Sequence, residues 1–188
     1  MTPDPTRPQA IIIHGYGATP ADHWFGWLAE QLEAAGVETQ IPALPDPMNP
    51  DPVRWEHHVR AALGTPDEQT SVVAHSLGCL TVLRCLSRLP ERWRLGTLVL
   101  VAGFVERLPA LPNLDAYIAD GCDVTGISEH VGRVVIIRSE DDAFVPPAHS
   151  DRLAALLDAP VRVIPGAGHF LAAEGVTALP AARDAITT

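Results

Sequence analysis

No uninterrupted apolar run in this 188-residue sequence approaches the length of a bilayer span, so no transmembrane helix is expected. No secretory leader is expected at its start either. Met1 to Gln9 holds one arginine, three prolines and no apolar core. Cysteine is scarce: Cys79, Cys85 and Cys122 are an odd number without C-x-x-C spacing, which argues against a disulfide framework. Free thiols suit a reducing compartment, and the expected location is cytoplasmic. Positive charge is in deficit, with 13 Lys and Arg against 23 Asp and Glu, a formal net charge of −10, and no basic stripe. That disfavours nucleic acid and anionic membrane as partners, and the pattern identifies no protein partner. There is no P-loop, internal repeat, low-complexity tract or linker. His57 and His58 are adjacent, hence about 100° apart on a helix; without H-E-x-x-H they make no metal site. No cofactor is implied.

What remains is a folded chain. Hydrophobic residues make up 47% and charged residues 19%, and the length suits one domain with a sizeable core. Residues 1–9 read as a flexible N-terminal segment and residues 10–188 as the domain. Short apolar, β-branched runs mark strands at Ala10–His14, Val37–Ile41, Ser71–His75, Gly96–Ala102, Arg133–Arg138 and Val161–Ile164. Helical spacing predicts helices over Ala21–Ala35, Pro52–Leu63, from Ser76 to near Pro90, over Pro147–Leu157, and over Ala172–Ile186 with Pro180 interrupting or delimiting it. Pro42–Pro52 reads as a surface loop. Gly103–Gly126 carries no clear pattern, and whether it forms a small cap stays open. Strands alternating with helices imply an α/β fold: about six parallel strands with helices on both faces.

Chemistry concentrates where those strands end. Ser71-Val72-Val73-Ala74-His75-Ser76-Leu77-Gly78 runs from a strand through a polar pair with small neighbours straight into a helix. It reads as a nucleophile elbow of the form A-x-S-x-G, with Ser76 held out at the turn and the Leu77 amide at a helix N-terminus. The bland alternative is a serine that caps a helix. Against it stands the company Ser76 keeps: His14-Gly15 follows strand one, Asp141-Asp142 strand five and His169 strand six, all on the sheet edge where α/β proteins bind ligands. A serine needs a base, and a histidine can take its proton and return it to the leaving group. His169, in Gly166-Ala167-Gly168-His169-Phe170, is the candidate base. The orienting acid comes from Glu140, Asp141 and Asp142; Asp142 is chosen, with Asp141 the fallback, because Asp142-Ala143-Phe144-Val145-Pro146 resembles the D-x-x-V-P run after the penultimate strand of many α/β-hydrolases. For the oxyanion, the backbone N–H groups are those of Leu77 and Tyr16, with Gly17 second. His14, Trp24, Phe104 and Phe144 are candidates for the pocket wall, Trp24 reading, like Trp27, as either core or wall. A dinucleotide site at Gly15-Tyr16-Gly17 is disfavoured, since Pro20 stands where glycine or alanine is needed and Ile41-Pro42 where an acid is needed.

These motifs, with Asp22-His23-Trp24-Phe25-Gly26-Trp27-Leu28, make the sequence resemble the small serine hydrolases of the α/β-hydrolase superfamily typified by retinoblastoma-binding protein nine and the YdeN-like proteins. The resemblance runs from Ala10 to Pro180. It implies a compact six-stranded core without a full lid domain, and an enzyme that hydrolyses a carboxylic ester, amide or thioester through an acyl-serine, with a small-molecule acyl substrate. Ala74 replaces the first elbow glycine, and Ala143 stands where proline often follows the acid; neither removes a reacting group. The L-x-C-x-E motif of the eukaryotic namesake is absent, since Leu83-Arg84-Cys85-Leu86-Ser87 ends in serine. The rival is a non-catalytic binding protein on the same fold.

Overall fold

In the computed structural model, residues 7–90 and 92–188 are described. The flexible segment expected over residues 1–9 falls outside them for residues 1–6, and Gln9 already pairs with Glu38 and Thr70. Six strands, β1 (Gln9–Ile13), β2 (Glu38–Gln40), β3 (Thr70–His75), β4 (Leu95–Val101), β5 (Val131–Ser139) and β6 (Val161–Ile164), form one sheet in the order β2-β1-β3-β4-β5-β6. Every pairing is parallel. The chain reverses its direction of build between β1 and β3, which creates a crevice at their C-terminal ends.

Strand alternation divides the core in two. Ile11, Ile13, Val72, Ala74, Leu98, Leu100, Val134 and Ile136 face one side, where α2 (Pro52–Leu63), α3 (Leu77–Ser87) and α5 (Pro147–Leu157) pack. Ala10, Ile12, Val73, Val99, Val101, Val135 and Ile137 face the other, against α1 (Phe25–Ala34) and α6 (Pro180–Thr187). That is why the central strands read as continuous apolar runs. Two helix starts differ from expectation. α1 begins at Phe25 rather than Ala21, because Asp22 Oδ2 accepts from Thr19 N–H and Oγ–H and holds a turn that His23 leaves with φ 56°. α6 begins at Pro180, whose fixed φ and missing N–H suit a first helical position. No helix of the described residues is long and apolar enough to cross a membrane.

The unassigned stretch between β4 and β5 is a small cap rather than a lid domain. It holds a 3₁₀ turn (Pro112–Leu114) and the one-turn helix α4 (Asp115–Ile118), and a further 3₁₀ turn (Ile127–His130) leads into β5. It is anchored on α3. The buried guanidinium of Arg84 donates to the carbonyls of Tyr117, Ile118 and Gly121, and Thr81 Oγ lies 2.7 Å from the Tyr117 hydroxyl. Leu77 to Leu86 are all buried, since α3 has the sheet on one side and the cap on the other.

Candidate active site

Ser76 leaves β3 with φ 53° and ψ −122°, a conformation a side chain adopts only under strain. His23, Ala102 and Phe170 also have positive φ, so strained backbone gathers at the C-terminal edge of the sheet. Two glycines let the chain close up there. A Cβ on Gly78 would lie 2.5 Å from His14 O, and one on Gly15 would lie 2.9 Å from His75 O and 3.0 Å from Ser76 Cβ. The small residue two after the serine is thus demanded by helix α3 approaching the end of β1.

The turn points Ser76 at His169. Ser76 Oγ–H donates to His169 Nε2 at 3.0 Å, and His169 Nδ1–H donates to Asp142 Oδ2 at 2.8 Å. The other Asp142 oxygen accepts from the N–H groups of Phe144 (2.9 Å) and Val145 (2.8 Å), which fixes the carboxylate in its loop. All three residues are buried. Asp141 turns the other way: its Oδ1 accepts from Gly168 N–H at 3.1 Å. Glu140 is exposed. The structure therefore brings Ser76, His169 and Asp142 into one hydrogen-bonded chain. Such a chain can draw a proton from the serine while the carboxylate holds the imidazole tautomer.

For an oxyanion, Leu77 is the first residue of α3, where an N–H has no acceptor within the helix. On the facing loop Gly17 donates its N–H to Pro47 O at 2.8 Å, which removes it as the second donor and leaves Tyr16. The side chain of Tyr16 reaches the cap, where Asn113 Nδ2 donates to its hydroxyl at 3.2 Å. A cavity of about 380 Å³ lies between the proline loop and the cap, lined by Tyr16, Met48, Asn49, Pro50, Asn113 and Tyr117 among others. A larger cavity of about 510 Å³ sits at the opposite, N-terminal edge of the strands, lined by Glu68, Gly96 and Gly132, away from this chemistry.

Of the four pocket-wall candidates, Phe144 alone offers surface beside His169. Phe144 is 37% exposed and meets the His169 ring edge-on at 5.3 Å between centroids. His14 and Phe104 need correction, and Trp24 falls on the core side of its two readings, because these three have almost no exposed surface to offer a ligand. Trp24 packs against Phe25 and His75, and Phe104 lies in the core beside α3 and α5. His14 is a loop brace: its Nε2 accepts from Leu44 N–H, so Nδ1 carries the proton and donates to Gly15 O. Among the described residues no group of three His, Cys, Asp or Glu is placed to hold a metal ion.

Sequence reading missed the groups around the His169 loop. Ser139 Oγ–H donates to Gly168 O, Glu174 Oε2 accepts from His169 N–H (2.7 Å) and Leu171 N–H (3.1 Å), and His23 Nδ1 accepts from Ala172 N–H. His75 Nε2–H donates to His169 O at 2.9 Å. The available signal was a histidine at the end of an otherwise apolar strand.

Burial pushes His75 well below the usual histidine value of 6.5, and it lowers His14 and His23 as well. Between their folded values and 6.5 the unfolded chain binds protons that the folded chain refuses, so stability rises with pH there. The contribution is complete above pH 6.5 and is lost as pH falls through the folded values. Thermal melting followed from pH 8 to pH 5 should show a falling Tm below about pH 6.5; a Tm that rises on acidification contradicts this.

The model of the serine hydrolase family matches residues 10–188. The sequence is 40% identical over 180 residues to the Bacillus subtilis protein YdeN, named as a hydrolase, covering 96% of this chain and 95% of that protein. The crystal structure of YdeN superposes with a TM-score of 0.91 over 95% of this chain and 96% of that one. Est1E of Butyrivibrio proteoclasticus, at 16% identity, shares the fold with a TM-score of 0.69 over 96% and 86% of the two chains.

Proposed function

The chain belongs to the serine hydrolase family, and from that premise we propose that it hydrolyses carboxylic esters through an acyl intermediate on Ser76. What supports this reading is the unbroken chain from Ser76 Oγ through His169 to Asp142. Ser76 Oγ attacks the ester carbonyl as His169 Nε2 takes its proton. The oxyanion is met by the N–H groups of Leu77 and Tyr16. His169 then protonates the departing alcohol, and water, deprotonated by the same imidazole, releases the acid and regenerates the serine. Amides and thioesters would pass through the same intermediate. The 380 Å³ cavity at Tyr16 is room for a small acyl or alcohol group. The three cysteines are free, which is compatible with action in the cytoplasm.

Charge narrows the substrate class. The loops that follow β1, β2, β5 and β6 at the site's edge of the sheet, residues 14–24, 41–51, 140–146 and 165–179, carry seven carboxylates and no lysine or arginine. These loops carry −7 of the net −10, while between β4 and β5 Glu106 is paired with Arg152, and Asp123 lies beside Arg84 and Arg88 at the far end of α3. A field of that sign repels anionic substrates and concentrates cationic ones, more weakly as salt rises.

Two measurements test this. A fluorophosphonate probe should label the folded protein, with the adduct mapped to Ser76; a folded protein that takes no label favours the non-catalytic rival. Among 4-nitrophenyl esters, the neutral acetate and the cationic glycinate should be cleaved with kcat/KM about tenfold or more above the anionic hemisuccinate at low salt. Equal rates at low salt would refute the charge argument.

A further inference from the structure

His75 poses a question that the proton relay leaves unanswered. Its side chain is buried at the end of β3, boxed by aromatic rings: Trp24 at 6.0 Å, Phe25 at 5.9 Å, His23 at 5.8 Å and His169 at 4.9 Å between centroids. Among the described residues its Nδ1 has no hydrogen-bond partner. A buried imidazole is costly where an apolar side chain would fill the space. Among the described residues its single polar contact is the Nε2–H bond to the His169 carbonyl, 2.9 Å long. Both main-chain polar groups of His169 are therefore held, the N–H by Glu174 and the C=O by His75.

We propose that His75 is a positioning residue that clamps the main chain of His169 and thereby holds its imidazole against the Ser76 hydroxyl. Ser76 and His75 are consecutive, so one strand carries both the nucleophile and the brace for its base. A shift of the His169 loop relative to β3 would lengthen the 3.0 Å bond between Ser76 Oγ and His169 Nε2 directly. Without His75 the loop keeps Ser139, Asp141 and Glu174, which hold Gly168 and the N–H side of His169 but not its carbonyl. Misplacement by about an ångström costs up to about a hundredfold in rate while leaving substrate contacts alone.

The inference rests on the proposed role of His169, and the experiment separates the two. If wild-type protein neither hydrolyses esters nor takes the fluorophosphonate label, the parent reading fails. With an active wild type, three variants test the clamp. His75→Leu keeps the volume and removes the donor. His75→Gln returns an N–H close to the place of Nε2, and His75→Asn carries an N–H too short to reach. On 4-nitrophenyl acetate, the leucine and asparagine variants should lose about ten- to a hundredfold in kcat with KM nearly unchanged, and the glutamine variant should recover most of it. The low-field proton resonance of the His169–Asp142 bond should weaken or shift in the first two and return in the third. Should the leucine variant fail to fold, the asparagine and glutamine pair decides. The proposal is overturned if a folded variant lacking the reaching donor keeps kcat within threefold of wild type. It is equally overturned if the glutamine variant, with wild-type Tm, is as slow as the others.

Discussion

Ser76→Ala should leave a folded protein whose ester turnover is lower by about a thousandfold to a millionfold. The fold should survive because the change removes one oxygen and adds no bulk. Alanine also keeps the Cβ, so the backbone strain at φ 53° is the same in both proteins. A glycine there would relax the turn and confuse stability with chemistry. The hydroxyl donates to His169 Nε2, which is left facing the crevice and can meet water there. What remains is whatever the oxyanion donors and substrate binding achieve without a nucleophile. The check is 4-nitrophenyl acetate hydrolysis beside circular dichroism and Tm. A folded variant within tenfold of wild type would remove Ser76 from the mechanism.

Much of this architecture is legible in the sequence. The central strands announce themselves as apolar runs because both faces of the sheet are covered. Val161–Ile164 is found at its observed bounds, and so are the helices Pro52–Leu63 and Pro147–Leu157, each opened by a proline. The polar residues after β1, β3, β5 and β6 share one edge because parallel strands put all their C-terminal ends there. Legibility fails where tertiary contacts set the geometry. The start of α1 is decided by the Thr19–Asp22 turn, and the cap by Arg84 reaching from α3, neither of which follows a periodicity. Phe104 and His14 read as wall by type and proximity, and Trp24 as wall or core, yet a large side chain beside a crevice can as well be turned inward. The clamp on the His169 loop spans Ser139, Asp141, Glu174 and His75, distant in sequence and joined only by folding.

The sharpest separation concerns two neighbouring carboxylates. Asp142→Asn is expected to lower kcat about ten-thousandfold, and Asp141→Asn by less than tenfold. The reason lies in which atoms each one holds. Asp142 Oδ1 accepts from Phe144 and Val145 N–H, and an asparagine would keep its carbonyl oxygen there to preserve those two bonds. Its NH₂ group would then face His169 Nδ1, where Oδ2 now accepts a proton. Two donors cannot share that contact, so the imidazole moves its hydrogen to Nε2. A protonated Nε2 cannot accept from Ser76, and the base is lost while the geometry survives. Asp141 meets a simpler fate. Its Oδ1 accepts one bond from Gly168 N–H, and the asparagine oxygen can accept the same bond with no change of tautomer anywhere. Both variants should keep the wild-type fold, and both should be assayed on one ester at one pH above 7, where acid-induced destabilisation does not intrude. If Asp141→Asn proves the crippled variant and Asp142→Asn the active one, the orienting acid has been misassigned. If both are crippled, Asp141 does more than hold the loop, and the clamp on Gly168 must itself set the position of His169.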